Sequence, residues 1–428
     1  MSFRWMICKT EKSAMIKILR NDSALPNHID VVIVDGFFLI HSMKDVPQSF
    51  GNISKKILQI LASYNASCVH VVFDRYWSPS IKDYERSLRG GSDSTHEYVI
   101  SGPDQARTHD FAKELRNDRF KEALVRFLIS HWQSNDVAAF IGNKTISLNF
   151  INCYSFSVVN GNVVKTEKLD FFCSSHEEAD TKIIYHASKI NSGSTVVVKC
   201  SDTDIVIIML GNLHKIKAKI YIECGVSRSR HIINVNALHE LLGLDLCKAL
   251  PGFHAFTGCD YNPAFFKKGK KRPFQILAKN EEFQQAFASL GDTGIDIDNT
   301  FAKIEAFVCS MYGYETQKKI NNVRYLMFLR NYKVKNTDEA FLKANLKSFD
   351  ASCLPPCYTE LLQQMRRAHY IAHLWNKATL RDPIEFEPET SGWTLTNSKY
   401  EFLWFEGPQL PPSVKDVILD NQDSEGNF

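Results

Sequence analysis

Acidic residues punctuate this chain at intervals that suit metal-assisted hydrolysis. Asp35, Asp74 and the pair Asp202 and Asp204 each follow a short apolar run: Val31-Val-Ile-Val34, Val69-His-Val-Val-Phe73 and Thr195-Val-Val-Val-Lys-Cys200. Glu178 and Asp180 lie in Ser175-His-Glu-Glu-Ala-Asp180, and Asp260 in Phe256-Thr-Gly-Cys-Asp-Tyr261. Carboxylates gathered in one small volume cannot all stay ionised unless cations neutralise them. An all-oxygen set favours Mg²⁺ or Mn²⁺ over zinc. Two such ions roughly 3.5–4 Å apart stabilise both the attacking and leaving oxygens of a phosphodiester and draw hydroxide from bound water. The expected metal ligands and catalytic acids are therefore Asp35, Asp74, Glu178, Asp180, Asp202, Asp204 and Asp260.

Each acid alone has a plainer reading. Asp35 and Asp74 suit turns at strand ends. Ser175 with Glu178 three positions on matches a capping box, a role compatible with facing a cleft. Asp202 and Asp204 suit a simple turn. Only the conjunction at successive strand ends points to one site.

The elements that must position these acids follow from periodicity. The three apolar, β-branched runs suit strands buried on both faces of a parallel sheet. Helical stretches separate them, among them Ile53 to Tyr64, Phe111 to Trp132 and Ala179 to Ile190. The alternation predicts an α/β doubly wound sheet, in which ligands bind beyond the carboxyl ends of the strands. Val158-Val-Asn-Gly-Asn-Val-Val164 reads as a hairpin about Asn-Gly. From about residue 290 the pattern turns mainly helical, and the polar end, Asp420 to Phe428, reads as disordered.

Composition is that of an ordinary globular chain: 428 residues, 44% hydrophobic and 23% charged. The formal charge of +3 is too small to attract nucleic acid globally, so such a role must rest on local basic patches. Eleven cysteines without framework spacing fit thiols in a reducing compartment. No segment reads as a signal peptide or a membrane span. The expectation is an intracellular protein, nuclear or cytoplasmic, with no membrane partner.

The order of these motifs resembles the flap-endonuclease and XPG-type nuclease superfamily, which has a PIN-like (Rossmann-like) fold. That family presents an Asp after its first strand, a Phe-Asp motif, a Glu-x-(Glu/Asp) helix start, a DxD and a Gly-x-Asp-Tyr motif. The positions that match are Asp35, Asp74, Glu178 with Asp180, Asp202 with Asp204, and Asp260. The segment Ala237 to Leu250 followed by Gly258-Cys-Asp-Tyr261 is similar to the family's helix, connector and acid-bearing turn. The resemblance covers roughly residues 30–280. The chain also resembles a group of animal proteins sharing Glu-Glu-Ala-Asp-Thr, Ser-x-Asp-Thr-Asp and Leu-Pro-Gly-x-His-Ala-Phe-Thr-Gly-Cys-Asp, which adds no function of its own.

The resemblance implies two Mg²⁺ ions and places Lys82, Arg86 and Arg89 as clamps on the scissile phosphate, and His41 where the family has a base-stacking aromatic. Lys82, Arg86 and Arg89 equally suit one solvated helix face. Two departures stand out. Residues 1–30 precede the first strand, where family members begin close to it. The family's Gly-x-Gly turn after the last acid is replaced by a basic loop with one glycine, carrying Lys267, Lys268, Lys270, Lys271 and Arg272. That loop suits a phosphate grip at a helix start or a nuclear-localisation-like cluster. No sliding-clamp-binding motif stands near the C-terminus.

Cys353-x₃-Cys357-x₁₁-His369-x₃-His373 approaches zinc-finger spacing, but Leu354-Pro-Pro356 and the absence of a preceding hairpin pattern favour an ordinary helix with core-facing histidines. The aromatic cluster Trp393, Phe402, Trp404 and Phe405 reads as an extended segment packed on the body.

The sequence thus predicts a metal-dependent, structure-sensitive nuclease domain over residues 1–290, with an arch or cap within about 75–175, and a helical extension over 291–428. DNA is favoured over RNA as partner. The alternative is a PIN-like scaffold without catalysis that binds nucleic acid or protein.

Overall fold

The β-branched runs form the strands expected of them, and the acids stand where those strands end. The computed structural model describes residues 13–19, 21–88, 97–226, 230–331, 351–384 and 386–407. Arg89 and the polar tail lie outside the described residues.

The chain runs through α1 (Ser13–Leu19), β1 (Val31–Asp35), α2 (Gly36–Ser42), α3 (Phe50–Ala62) and β2 (Cys68–Val72). Next come α4 (Asp83–Leu88), α5 (Phe111–Glu114), α6 (Asp118–His131) and α7 (Ala138–Ile141). They lead to β3 (Thr145–Asn149), β4 (Cys153–Val159) and β5 (Asn162–Glu167). A second half follows: α8 (Ala179–Lys189), β6 (Thr195–Cys200), α9 (Thr203–Asn212), β7 (Lys219–Cys224), β8 (His231–Asn234), α10 (Val235–Leu242) and α11 (Leu244–Thr257). The chain closes with α12 (Lys271–Ala278), α13 (Glu281–Ala288), α14 (Ile297–Met311), α15 (Ile320–Asn331), α16 (Tyr358–Asn376), β9 (Trp393–Thr396) and β10 (Lys399–Phe402).

Eight strands form one sheet in the order β5-β4-β3-β2-β1-β6-β7-β8. The inner strands β3, β2, β1, β6 and β7 are parallel, and β4 and β5 at one end and β8 at the other pair antiparallel with their neighbours. This is the mostly parallel, helix-flanked sheet that the sequence pattern predicts. The hairpin lies where Asn-Gly places it: Val159 pairs with Asn162, and Asn160 and Gly161 take φ of +50° and +77°. Both central residues at positive φ match the twist of the flanking strands.

Alternate strand residues feed two cores. Ile33, Val196 and Val198 pack with α8 and α9 on one face, and Val32, Val34, Val71 and Val197 with α3 and α6 on the other. Helix α9 is buried all round, because α11 and α16 cover it on the side away from the sheet. Gly211 admits this contact, since a Cβ there would fall 2.5 Å from Pro251 Cγ of α11.

The helices beyond residue 290 share the apolar core of β6 and α9, through Phe307, Met365, Ile371 and Trp375. A hairpin of β9 and β10, not foreseen from the sequence, interrupts this helical region. The aromatic segment packs inward, as expected: Trp393 is buried, and Phe402 lies against Tyr84 of α4 at 5.2 Å between centroids. Of the interval expected to hold an arch or cap, β3, β4 and β5 extend the sheet and α6 packs in the core, while α4 and its neighbouring loop border the acids.

Candidate metal centre

Strand order reverses between β1 and β6, the point at which doubly wound sheets open a crevice at their carboxyl ends. Asp35 is the last residue of β1, Asp74 comes two residues after β2, and Asp202 two residues after β6. Each carboxylate also holds a helix N-terminus. Asp35 Oδ1 accepts from Phe38 N at 3.0 Å, and Asp202 Oδ1 from Asp204 N at 3.0 Å, which caps α2 and α9. Asp74 Oδ1 accepts from Ala179 N at 2.6 Å and so serves α8 across 105 residues. The turn and cap readings of these acids hold together with their gathering at one edge, and the positive ends of three helices offset part of their repulsion.

The capping box at Ser175 does not form. Helix α8 begins at Ala179, its N-cap residue Glu178 makes no side-chain cap bond, and Ser175 Oγ instead donates to Arg381 O at 2.6 Å. Asp74 supplies the acceptor that the local motif was expected to give, which frees Glu178 to face the cleft.

The closest group among the described residues is Asp180, Asp202 and Asp204, which offer ligand oxygens all within 4.8 Å of one another. Burial, then the charges of Asp202 and Asp204, hold the Asp180 carboxyl well above the usual range, against the opposing pull of Lys82. Asp35 is pushed up to about 7 by burial and by Asp74, with Asp202 adding to it and the Phe38 N–H opposing it. Five aspartates therefore feel one another in one crevice. Such an oxygen-only set fits one or two hard divalent cations, which would relieve the repulsion.

Glu178 and Asp260 stand apart from that group. Glu178 is ion-paired to Lys82 and accepts from the Tyr261 hydroxyl, and the Lys82 ammonium lies 4.8 Å from the Tyr261 ring centroid. Asp260 lies half-buried in the turn after α11, and its charge helps raise the Tyr261 phenol, after burial and the acids Glu177 and Asp180.

Behind the group lies a relay that no sequence motif announced. His254 of α11 is buried with Nε2 3.0 Å from Asp204 Oδ1. Lys270 is also buried, with Nζ 3.2 Å from His254 Nδ1 and bonds to His254 O, Thr257 Oγ1 and Gly258 O. An ammonium only donates, so Nδ1 must accept, and Nε2 carries the proton it donates to Asp204. The tautomer and the carboxylate's orientation are thus set from behind. His254 belongs to the Leu250–Asp260 motif, the one signal that pointed to its neighbourhood.

The basic residues expected to meet phosphate divide. Lys82 is engaged with Glu178, and Arg86 Nη2 with Glu177 Oε1 at 2.7 Å. Lys270 is spent inside the protein rather than on a ligand, because the end of α11 delivers three oxygens to it. Lys267, Lys271 and Arg272 are exposed, and Lys268 lies 4.1 Å from the Tyr312 ring centroid. His41 is exposed and lines a cavity of about 400 Å³ with Asp74, Lys82, Arg116 and Lys121. Arg116 and Lys121 carry no sequence signature, and only folding brings them beside the acids.

The cysteine and histidine set is differently arranged. His369 Nδ1 accepts from Gly291 N at 2.9 Å and His373 Nδ1 donates to Gly291 O at 2.7 Å, so both imidazoles clasp one turn. Cys357 Sγ lies 3.4 Å from Thr359 Oγ1.

No family model matches the chain, and no curated protein matches it. Among solved structures, the T5 D15 protein co-crystallised with metal ions aligns at 13% identity and a TM-score of 0.33, over 75% of this chain and 100% of that one. The catalytic core of Rad2 in complex with DNA substrate aligns at 13% identity and a TM-score of 0.33, over 81% of this chain and 88% of that one. A second complex of the Rad2 core gives 14% and 0.34, over 80% and 87%. Likeness at this level carries no argument about chemistry or substrate. No helix among the described residues is long and apolar enough to cross a membrane.

Proposed function

We propose that this chain is a Mg²⁺- or Mn²⁺-dependent nuclease of PIN-like type that hydrolyses phosphodiester bonds in DNA, sensitive to strand structure. The observation that carries this reading is the gathering of Asp180, Asp202 and Asp204 beside Asp35 and Asp74 at the sheet's switch point, with the Asp35 and Asp180 carboxyls raised by burial and by the charges of the neighbouring aspartates. The ordered resemblance of the same acids to the flap-endonuclease superfamily supports it.

In this reading Asp35, Asp74, Asp180, Asp202 and Asp204 hold the ions, with Glu178 and Asp260 at the margin. Bound there, two divalent ions supply charge stabilisation for the phosphodiester and a water activated for attack. His254 keeps Asp204 aimed inward. Arg116, Lys121 and His41 form the wall along which a backbone phosphate approaches. Residues 1–290 carry the chemistry, and the described residues beyond 290 complete its surroundings.

A binding scaffold without catalysis is the second reading. It is favoured by the engagement of Lys82 and Arg86 with Glu178 and Glu177, which leaves fewer cations for phosphate. Thermal unfolding with and without millimolar Mg²⁺ or Mn²⁺ separates the two, since a ligand of the native state raises its midpoint. A rise with either ion supports the nuclease, and an unchanged midpoint supports the scaffold.

A further inference from the structure

Two cavities meet at Glu178, which lines both, and the larger also reaches Asp74. The larger carries His41, Arg116 and Lys121 alongside the carboxylates of Asp74, Glu85 and Asp118, with Lys121 3.3 Å from Asp118 Oδ1. The smaller, about 210 Å³, is bordered by proline and aliphatic side chains and by the rings of Trp77 from the loop after β2, Tyr261 from the turn after α11, Tyr370 and Trp375 from α16, and Tyr400 from β10. The acid-bearing wall and the C-terminal segment thus build the pocket jointly.

Its size and lining narrow what it takes. At about 210 Å³ it is smaller than the roughly 300–1,000 Å³ of pockets for drug-sized ligands, so a helix or peptide segment does not fit and a single planar ring system does. The rings are held before any ligand arrives. Tyr261 lies edge-on to Trp375 at 6.4 Å between centroids, and Tyr370 edge-on to Trp393 at 5.3 Å. Little ordering entropy is therefore lost on binding. Polar groups of Ser80, Glu177 and Thr181 border the same space. Aromatic and apolar side chains with a few polar groups among them match a nucleobase, whose faces stack and whose edge bonds.

The geometry points to a nucleobase pocket. It takes one unstacked base of the strand whose neighbouring phosphate would lie at the cations held by Asp180, Asp202 and Asp204. This rests on the nuclease reading and narrows its substrate. A base inside a duplex cannot enter without leaving its stack, so the nucleotide beside the cut must be unpaired or flipped. Single strands and flaps are then cut in preference to intact duplex.

The test removes a base rather than a residue, so protein folding does not enter. Single-stranded DNA carrying one abasic position, moved stepwise along the strand, is cut by the full chain in Mn²⁺. One position beside the cut is expected to lower kcat/KM roughly 5- to 150-fold, the worth of one stacked base, with little effect elsewhere. Equal cutting wherever the gap lies overturns the pocket while leaving the nuclease standing. A second readout is independent of catalysis: 2-aminopurine moved stepwise along the strand is quenched on binding at one position, and Tyr400→Ala or Trp77→Leu relieves the quenching. If no substrate is cut, the nuclease reading fails, and the quenching still decides the pocket. Quenching relieved by either variant upholds it as a base site, and quenching absent or unmoved by both overturns it.

Discussion

His254 Nε2 lies 3.0 Å from Asp204 Oδ1, with both side chains buried and 50 residues of chain between them. Lys270 fixes the imidazole from its other side, so a carboxylate of the proposed metal group is oriented by a charge that never meets the ligand. Partners of this kind typically change metal affinity about 10- to 100-fold. His254→Phe is expected to weaken Mn²⁺ binding by that factor in calorimetry. His254→Gln, which can still donate to Asp204, should recover much of it. Equal affinity in all three proteins would show the histidine to be core packing alone.

Asp180 is raised by burial and then by Asp202 and Asp204, and its side chain caps no helix, so its charge can be removed cleanly. Metal-free Asp180→Asn should be at least as stable as wild type, with a midpoint up to about 2–4 °C higher, the worth of roughly 1 kcal/mol. With Mn²⁺ about a hundredfold above its Kd, wild type should gain roughly 2.7 kcal/mol and the variant little. A variant less stable without metal, yet equally stabilised by it, would mean that Asp180 belongs to the scaffold.

Arg116 is exposed and lines the larger cavity. Arg116→Ala should weaken binding of single-stranded DNA similarly for all sequences. The slope of log affinity against log salt should fall by roughly 0.7, one phosphate contact. An unchanged slope would place the strand elsewhere.

His70 of β2 is buried, with Nδ1 2.9 Å from His186 Nδ1. Burial, with Lys168 adding to it, pushes His70 down to about 4. Between pH 4 and the unfolded value of 6.5, the unfolded chain binds a proton that the folded chain does not. Stability therefore rises with pH across this window and is lost as pH falls through it, by up to roughly 3 kcal/mol for this one group. Urea unfolding from about pH 7 to 4.5 should show stability falling more steeply for wild type than for His70→Gln. Parallel profiles would contradict the assignment.

The parts of the fold legible in the sequence were those set by local pattern. Strands β1, β2 and β6 were marked by β-branched runs, the β4–β5 turn by Asn-Gly, and the gathering of Asp35, Asp74 and Asp202 by their places at strand ends. What stayed hidden was set by distant partners. Ser175 and Glu178 have the spacing of a capping box, but Asp74 takes that place from another strand. Lys270 sits in an apparently exposed basic loop, yet the end of α11 offers it enough oxygens to hold an ammonium inside. The β9–β10 hairpin is short and its pairing local, but turns with Asn397 and Ser398 at positive φ have no strong sequence mark. The aromatic pocket draws on residues from Trp77 to Tyr400, and no window of sequence holds it.

Cleavage of labelled single-stranded, flap and duplex DNA and of RNA, by wild type and Asp202→Ala in Mg²⁺ and in Mn²⁺, decides whether the chain is a metal-dependent nuclease. The expected result is metal-dependent cutting by wild type, strongest on DNA with an unpaired strand and abolished in the variant. Absence of cutting on every substrate by wild type, or equal cutting by Asp202→Ala, would contradict it.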